Sequence, residues 1–358
     1  MTTSMSDILQ AALAALADTR TLSGVDLSHA DLSRRDLSGC TFDRVILRGA
    51  NLSASQLDTT CWLHCDLTGA RVDGATLGGS SWHEVALHAA SLRATTGAAF
   101  AMTDADLAEA TLADALWARS TFERCDLAAA QCAGAKLLRC EAVDCRFEHT
   151  DFANAELERF AAMHADLSSA RFDATRLTNA LLTNADLRGQ RFDHCDLTMT
   201  HFNGAKLSGS DFSGASLVQT MFFDADLERA TLAGARGRHV RFADATLVGA
   251  DLSGAAFDET DFARARLSSA NARGLRARMS LFAHADCADA TLAGGSFVYC
   301  DFSHAKLSRA DCTDADFSHA NLHAVDDRAA RWDGTRKTGA RPTDPTLAQA
   351  ERWTAPER

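Results

Sequence analysis

The sequence predicts an all-β fold: a quadrilateral β-helix with short helical ends. Three observations carry this. Every fifth residue from Leu22 to Leu322 is apolar or small, 61 positions in one register without insertion or deletion. Of these, 31 are Leu, 16 Phe and three Trp, and only six are Gly or Ala. A period of five fits neither helix nor strand, and a short period held this long marks a solenoid. A second period of 20 overlies the first, in Phe202, Phe222, Phe242, Phe262, Phe282 and Phe302. Twenty residues per coil make four sides of five, so like residues stack. Finally, bulk is conserved locally: Gly97 is followed by Phe100 and Gly237 by Val240, while Phe160 precedes Ala162. A packed core tolerates neither cavities nor overpacking, so this compensation places both positions inside.

Each five-residue unit has a simple logic. Its centre is apolar, and two residues earlier stands a small residue such as Ala30, Cys40, Ala50 or Ala70. A polar residue, often Asp, sits between them, as at Asp26, Asp31, Asp66 and Asp106. In-out-in over three residues is strand alternation. The last two residues, often Ser-Gly or Ser-Ser, suit a corner. A second aromatic column, Phe152, Phe172, Phe192 and Phe212, lies two sides from the first and supplies bulk where the first thins to Ala142, Ala162 and Leu182.

The repeated A-[DN]-L-x-x unit, as in Ala30-Asp31-Leu32-Ser33, Ala50-Asn51-Leu52-Ser53 and Ala250-Asp251-Leu252-Ser253-Gly254, resembles the pentapeptide-repeat family. The resemblance covers roughly 300 of 358 residues. It implies a right-handed quadrilateral β-helix, the hand that parallel crossovers also favour. About 15 coils at a rung spacing of ~4.8 Å give ~70 Å of solenoid.

Three segments are expected: a capping helix over 1–20, repeats over 21–325 and a tail over 326–358. In the first, Ser6 is the expected helix cap, and Ile8, Leu9, Ala12, Leu13 and Leu16 form one face to cover the open first coil. Asp7 stands where a signal peptide would carry a basic residue, so this is not an export signal. In the tail, residues from Asp344 to Trp353 suit a short helix with Pro345 at its first position. Trp332 and Trp353 are its apolar anchors, either capping the last coil or pairing two chains as a homodimer.

Eleven cysteines do not make a disulfide scaffold here. Ten fall on inward positions and only Cys61 points outward. Buried Cys as a small hydrophobe, an odd count and no export signal point to reduced thiols in a cytoplasm. No segment has the length and apolarity to span a membrane.

No nucleophile motif, phosphate loop or dinucleotide fingerprint is present, and a filled coil offers flat sides rather than a pocket. The sequence therefore predicts no enzyme, no catalytic residue and no cofactor. All 13 histidines are expected to face outward. His284 and His304 stack one coil apart, with Asp286 and Asp301 nearby, but two imidazoles fall short of the three or four converging ligands of a metal site.

Net charge is −12, and a basic zone stands against it: Arg236, Arg238, Arg241, Arg264, Arg266, Arg273, Arg276 and Arg278. Leu181, Met221 and Leu281 share one outward column, unusual for a polar surface. These residues are the candidate contacts of a protein-interaction scaffold. The family resemblance implies a bacterial accessory, effector or secretion-linked protein. It also implies an alternative, DNA mimicry toward a type II topoisomerase (gyrase), since the family includes gyrase-binding proteins of quinolone resistance. Magnitude weighs against this: B-DNA carries about 40 charges over ~70 Å. Direct nucleic-acid binding fits poorly with the acidic balance.

Overall fold

The computed structural model describes residues 5–351 and 353. Two compact units are present, one up to Asp186 and one from Leu187 onward. Each is a quadrilateral parallel β-helix, and α1 (Met5–Thr19) and α2 (Pro345–Glu351) lie at the two chain ends.

Within each unit the rungs pair in parallel with the residue 20 positions on, as Thr21↔Thr41 in the first and Asn321↔Arg341 in the second. Side one carries the centres Phe42, Trp62 and Phe202; side two Leu27, Leu47 and Leu207; side three Leu32, Phe152 and Phe212; side four Leu37, Trp117 and Phe257. The centre N–H reaches the next coil, as Leu27 N to Ile46 O at 2.7 Å. The centre carbonyl closes the corner, as Ala30 N to Leu27 O at 3.1 Å. The Asp before the centre accepts from the backbone two residues on, as Ser28 N to Asp26 Oδ1 at 2.9 Å. This Asx turn is the physical reason for the recurring Asp.

The second corner residue is left-handed on all sides but the one ending at Ser169, with φ of 63° at His29, 57° at Arg34 and 63° at Gly24. Such corners are type II turns, which suit Gly or Asn. Where Val45, Cys65, Val85 or Phe100 takes the small position, the preceding side is a three-residue strand, as at Thr41–Asp43 and Thr96–Ala98.

The core is filled as the pattern predicts. Phe42, Trp62, Phe152, Phe192, Phe202, Phe212, Phe222 and Phe242 are fully buried. Side-one rings stack face to face, Phe222 on Phe242 at 4.9 Å and 5°, and Phe282 on Phe302 at 4.5 Å and 1°. Side-three rings stack likewise, Phe152 on Phe172 at 5.5 Å and Phe192 on Phe212 at 5.1 Å. The two columns meet edge to face across the coil, Phe212 to Phe222 at 5.6 Å and 87°. The compensation is steric: a Cβ on Gly97 would stand 3.0 Å from both Leu77 Cβ and Phe100 Cδ1. All eleven cysteines are free, nine buried and Cys61 and Cys145 partly so. Burial pushes the Cys132 thiol up to about 12, which keeps it an inert hydrophobe.

The ends correct the sequence reading in four places. α1 already includes Met5, so Ser6 lies within the helix rather than capping it; Ala12 and Leu16 are its buried face, as expected. The rungs do not stop at 325, so the coil count differs slightly from 15. They run on to Arg341, because Trp332 returns to a centre position and Arg331 and Arg336 pair with Asp311 and Asp316 one coil back. Trp332 meets Phe317 edge-on at 5.2 Å and receives Lys337 over its ring at 3.3 Å. Trp353 is no cap: it is 72% exposed. His323 faces inward rather than outward, covered by α2.

Candidate interaction surface

The predicted contacts do not form one patch. Arg236, Arg238, Arg276 and Arg278 share side four, two on each of two coils, with Ala256 and Asp258 between them. Arg273 lies on side three and Arg241 on side one. All six are exposed. Arg238 pairs with Glu259 and holds that carboxyl below its usual range through the hydrogen bond, and Arg276 meets Asp258 at 3.1 Å. Arg264 clamps Asp244 with two bonds of 2.6 Å. Among the described residues, Arg236, Arg241, Arg273 and Arg278 have no ion pair. Three of the eight arginines of the zone, Arg238, Arg264 and Arg276, are thus neutralised.

The apolar column is interrupted as well. Met221 pairs across rungs with His201 and Arg241, and Leu281 with Asp261 and Asp301. Met221 and Leu181 are half-buried, while Leu281 is 48% exposed. Leu281 shares a shallow groove with Met279, His239, Val240 and Arg241.

A different pattern was missed in the sequence. Among the described coil residues, the exposed large apolar side chains are Ile46, Leu116, Val143, Met163, Met199, Val218, Met279, Leu281 and Tyr299. In the second unit all of them, Met199, Val218, Met279, Leu281 and Tyr299, occupy or adjoin the corner where side four turns into side one, whereas Val143 and Met163 stand where side one turns into side two. In the second unit, that corner column carries Met199, Met279 (51% exposed) and Tyr299 (57% exposed). The signal was available in principle: the preceding corner is mostly Gly, at Gly214, Gly234, Gly254, Gly274 and Gly294, so bulk at the next one stands out.

Four of the 13 histidines, His284, His304, His319 and His323, lie near the C-terminal end. His284 and His304 stack at 4.8 Å and 6°, but Asp286 pairs with Lys306 at 3.3 Å, and Asp301 accepts from Asn321 at 2.8 Å. His304 turns instead to Glu351, its Nε2 3.3 Å from Oε1, and His323 Nε2 lies 3.2 Å from Oε2. Asp344 N–H donates to His323 Nδ1 at 3.1 Å. That bond leaves the proton on Nε2, which donates to Glu351. With Nδ1 accepting from Asp344 and Nε2 donating to Glu351, His323 has both ring nitrogens engaged, so this trio is a hydrogen-bonded clasp on α2. The clasp holds the Glu351 carboxyl below its ordinary value, first through His323 and then His304. Asp344 caps α2, accepting from Thr346 N at 2.8 Å and Leu347 N at 3.1 Å.

Stacked five-residue sides, Asx-turn corners and a filled aromatic core define a parallel β-solenoid. The pentapeptide-repeat family model matches in eight copies, over residues 22–60, 105–140, 163–198, 200–236, 222–257, 238–274 and 285–323, and the chain belongs to that family. No curated protein matches the chain. Among solved structures it is similar to a trypsin-treated variant of QnrB1, a plasmid-mediated fluoroquinolone resistance protein, at 22% identity and a TM-score of 0.45, over 53% of this chain and 92% of that one. It is similar to HetL, a pentapeptide repeat protein involved in heterocyst differentiation regulation from the cyanobacterium Nostoc, at 21% identity and a TM-score of 0.21, over 96% and 98%. It also resembles a pentapeptide repeat protein of the Arabidopsis thaliana thylakoid lumen, at 32% identity and a TM-score of 0.11, over 32% and 70%. Among the described residues no helix is long and apolar enough to cross a membrane.

Proposed function

We propose that the chain is a non-enzymatic protein-interaction scaffold, a bacterial accessory or secretion-linked protein working in a reducing cytoplasm, with another protein as partner. One observation carries this reading: in the second unit the exposed apolar side chains of the coil gather at a single corner, while the interior is filled. In the second unit Met279, Leu281 and Tyr299 supply the apolar contact, and Arg276 and Arg278 border it. Met, Tyr and Arg are the residue types enriched at protein interfaces. The test is affinity capture from the native cell, with wild type against a Met279→Ser/Leu281→Ser/Tyr299→Ser variant. A partner held by wild type and lost by the variant supports the reading; one held equally by both removes this surface.

DNA mimicry is the weaker alternative. A mimic needs unpaired acid columns, yet Asp104, Asp126, Asp244 and Asp289 each bind an Arg one coil on. A supercoiling assay with purified gyrase separates the readings: inhibition or protection at micromolar protein restores mimicry.

A further inference from the structure

The corner between sides four and one changes character in the first unit. There the left-handed position is filled on three successive coils by Arg119, Arg139 and Arg159, all exposed, with φ of 55–56°. Backbone bonds fix their stacking: Arg119 N donates to Leu138 O at 2.9 Å and Arg139 N to Glu158 O at 2.7 Å. The three cationic stems therefore repeat at the rung spacing of ~4.8 Å.

At three other corners an arginine in this position sits on an acid one coil below, while Arg34 has no ion pair among the described residues. Arg124 grips Asp104 at 2.7 and 2.8 Å, and Arg309 grips Asp289 at 2.7 and 2.6 Å, each from one coil above. The ladder has no such partner. One coil below Arg119 stands Ala99, and below Arg139 and Arg159 stand further arginines. Among the described residues none of the three makes an ion pair, and nearby Glu156 is taken by Lys136 at 3.1 Å. Like charges stacked this closely repel. Held in a conformation that disfavours side chains other than Gly and Asn, they form a cationic ridge whose complement lies outside the coil. Exposed apolar groups lie on the two sides that meet at it, Leu116 on side four and, at the far end of side one, Val143 and Met163.

We propose that this ridge docks an acidic amphipathic helix of a partner protein. The spacing selects the occupant. A helix rises about 1.5 Å per residue, so carboxylates at i, i+3 and i+7 advance ~4.5–6 Å per step and match the rungs. Alternate residues of a strand advance ~6.6 Å and drift out of step. The apolar flanks favour a helix with an apolar stripe beside its acidic one over a phosphate backbone, which offers no apolar surface. The inference rests on the scaffold reading and names one partner chemistry for it.

The test uses the full chain and fluorescence anisotropy at about 0.1 M salt. The probes are a labelled 21-residue peptide with Glu at i, i+3, i+7 and i+10 and Leu beside them, a scrambled peptide of the same composition, and a 20-base-pair DNA duplex. Three exposed pairs at a few tenths of a kcal/mol each predict about tenfold weaker peptide binding by R119S/R139S/R159S. Arg34→Ser, at an equivalent left-handed corner, leaves binding unchanged. Equal binding by the triple variant, equal binding of the scramble, or tighter binding of the duplex overturns the ridge. Circular dichroism checks that the triple variant keeps its coil. The capture experiment on Met279, Leu281 and Tyr299 reads separately, so loss of the ridge alone leaves the scaffold reading standing.

Discussion

Two neighbouring corner columns share a backbone and differ in everything else. In the second unit, Gly214, Gly234, Gly254, Gly274 and Gly294 mark the turn from side three to side four, with φ of 63–68°. One side further on, Met199, Met279 and Tyr299 take up the same left-handed turn, with φ of 57–62°. Glycine fits such a turn without strain; a side chain costs about 1–2 kcal/mol. One column thus follows the local rule of the fold and the other departs from it repeatedly. Departures from local consistency are expected where function is carried, and here they coincide with the exposed apolar groups.

The largest break in this contrast comes from inside. Phe222→Ala removes a fully buried ring stacked on both Phe202 and Phe242 and is expected to cost about 3–5 kcal/mol, read by denaturant unfolding. Met279→Ser is expected to stay within about 0.5 kcal/mol in the same experiment while weakening partner capture. Equal costs at the two sites would erase the distinction between core and corner.

A smaller core effect tests volume compensation. Gly97→Ala, pressed against Leu77 and Phe100, is expected to destabilise by about 1–3 kcal/mol. Combined with Phe100→Leu, much of that loss is recovered. A double variant no better than the sum of its parts would show that the two positions do not share space.

Exchanging the corner residues comes next. Gly254→Tyr is expected to lower stability by about 1–2 kcal/mol, since open space surrounds Gly254 and strain alone acts, and Tyr299→Gly to raise it by a smaller ~0.5–1 kcal/mol, since the stack on His319 is lost with the strain. Thermal unfolding of the two variants reads both signs. Opposite signs to these would mean that Tyr299 is a packing residue.

The smallest effect lies at the C-terminal end. The Glu351 carboxyl is held below its unfolded value of 4.5, so the clasp adds stability above that pH and loses it as pH falls through the lower folded value. Hydrogen exchange in α2 is expected to rise over that acidic range, and Glu351→Gln to raise it already at pH 7. Unchanged exchange in both cases would leave α2 held by something other than the clasp.

The contrast between columns also explains what the sequence made legible. The centres report burial directly, because volume must be conserved across a filled coil; the aromatic columns, the inward cysteines and the face of α1 were readable for that reason. Outward residues answer to neighbours 20 positions away. Leu181 and Leu281 look alike along the chain, yet one is half-buried and the other stands free. Asp104 and Asp244 look like bare surface charge until an arginine one coil on is placed over each. His323 is turned inward by Glu351, which the five-residue beat does not reach, and Trp353, an anchor by composition, finds nothing to cover. The bulk along one corner was written in the sequence, but only the left-handed backbone shows it to be costly.

The central claim is that partner binding lies on the bulky corner of the second unit and not on the glycine corner beside it. Its most direct test is the affinity for a captured partner of two variants, Met279→Gly/Tyr299→Gly and Gly254→Asn/Gly274→Asn, each retaining the fold. The account predicts that the first loses binding and the second keeps it. Loss by the second with retention by the first would contradict it.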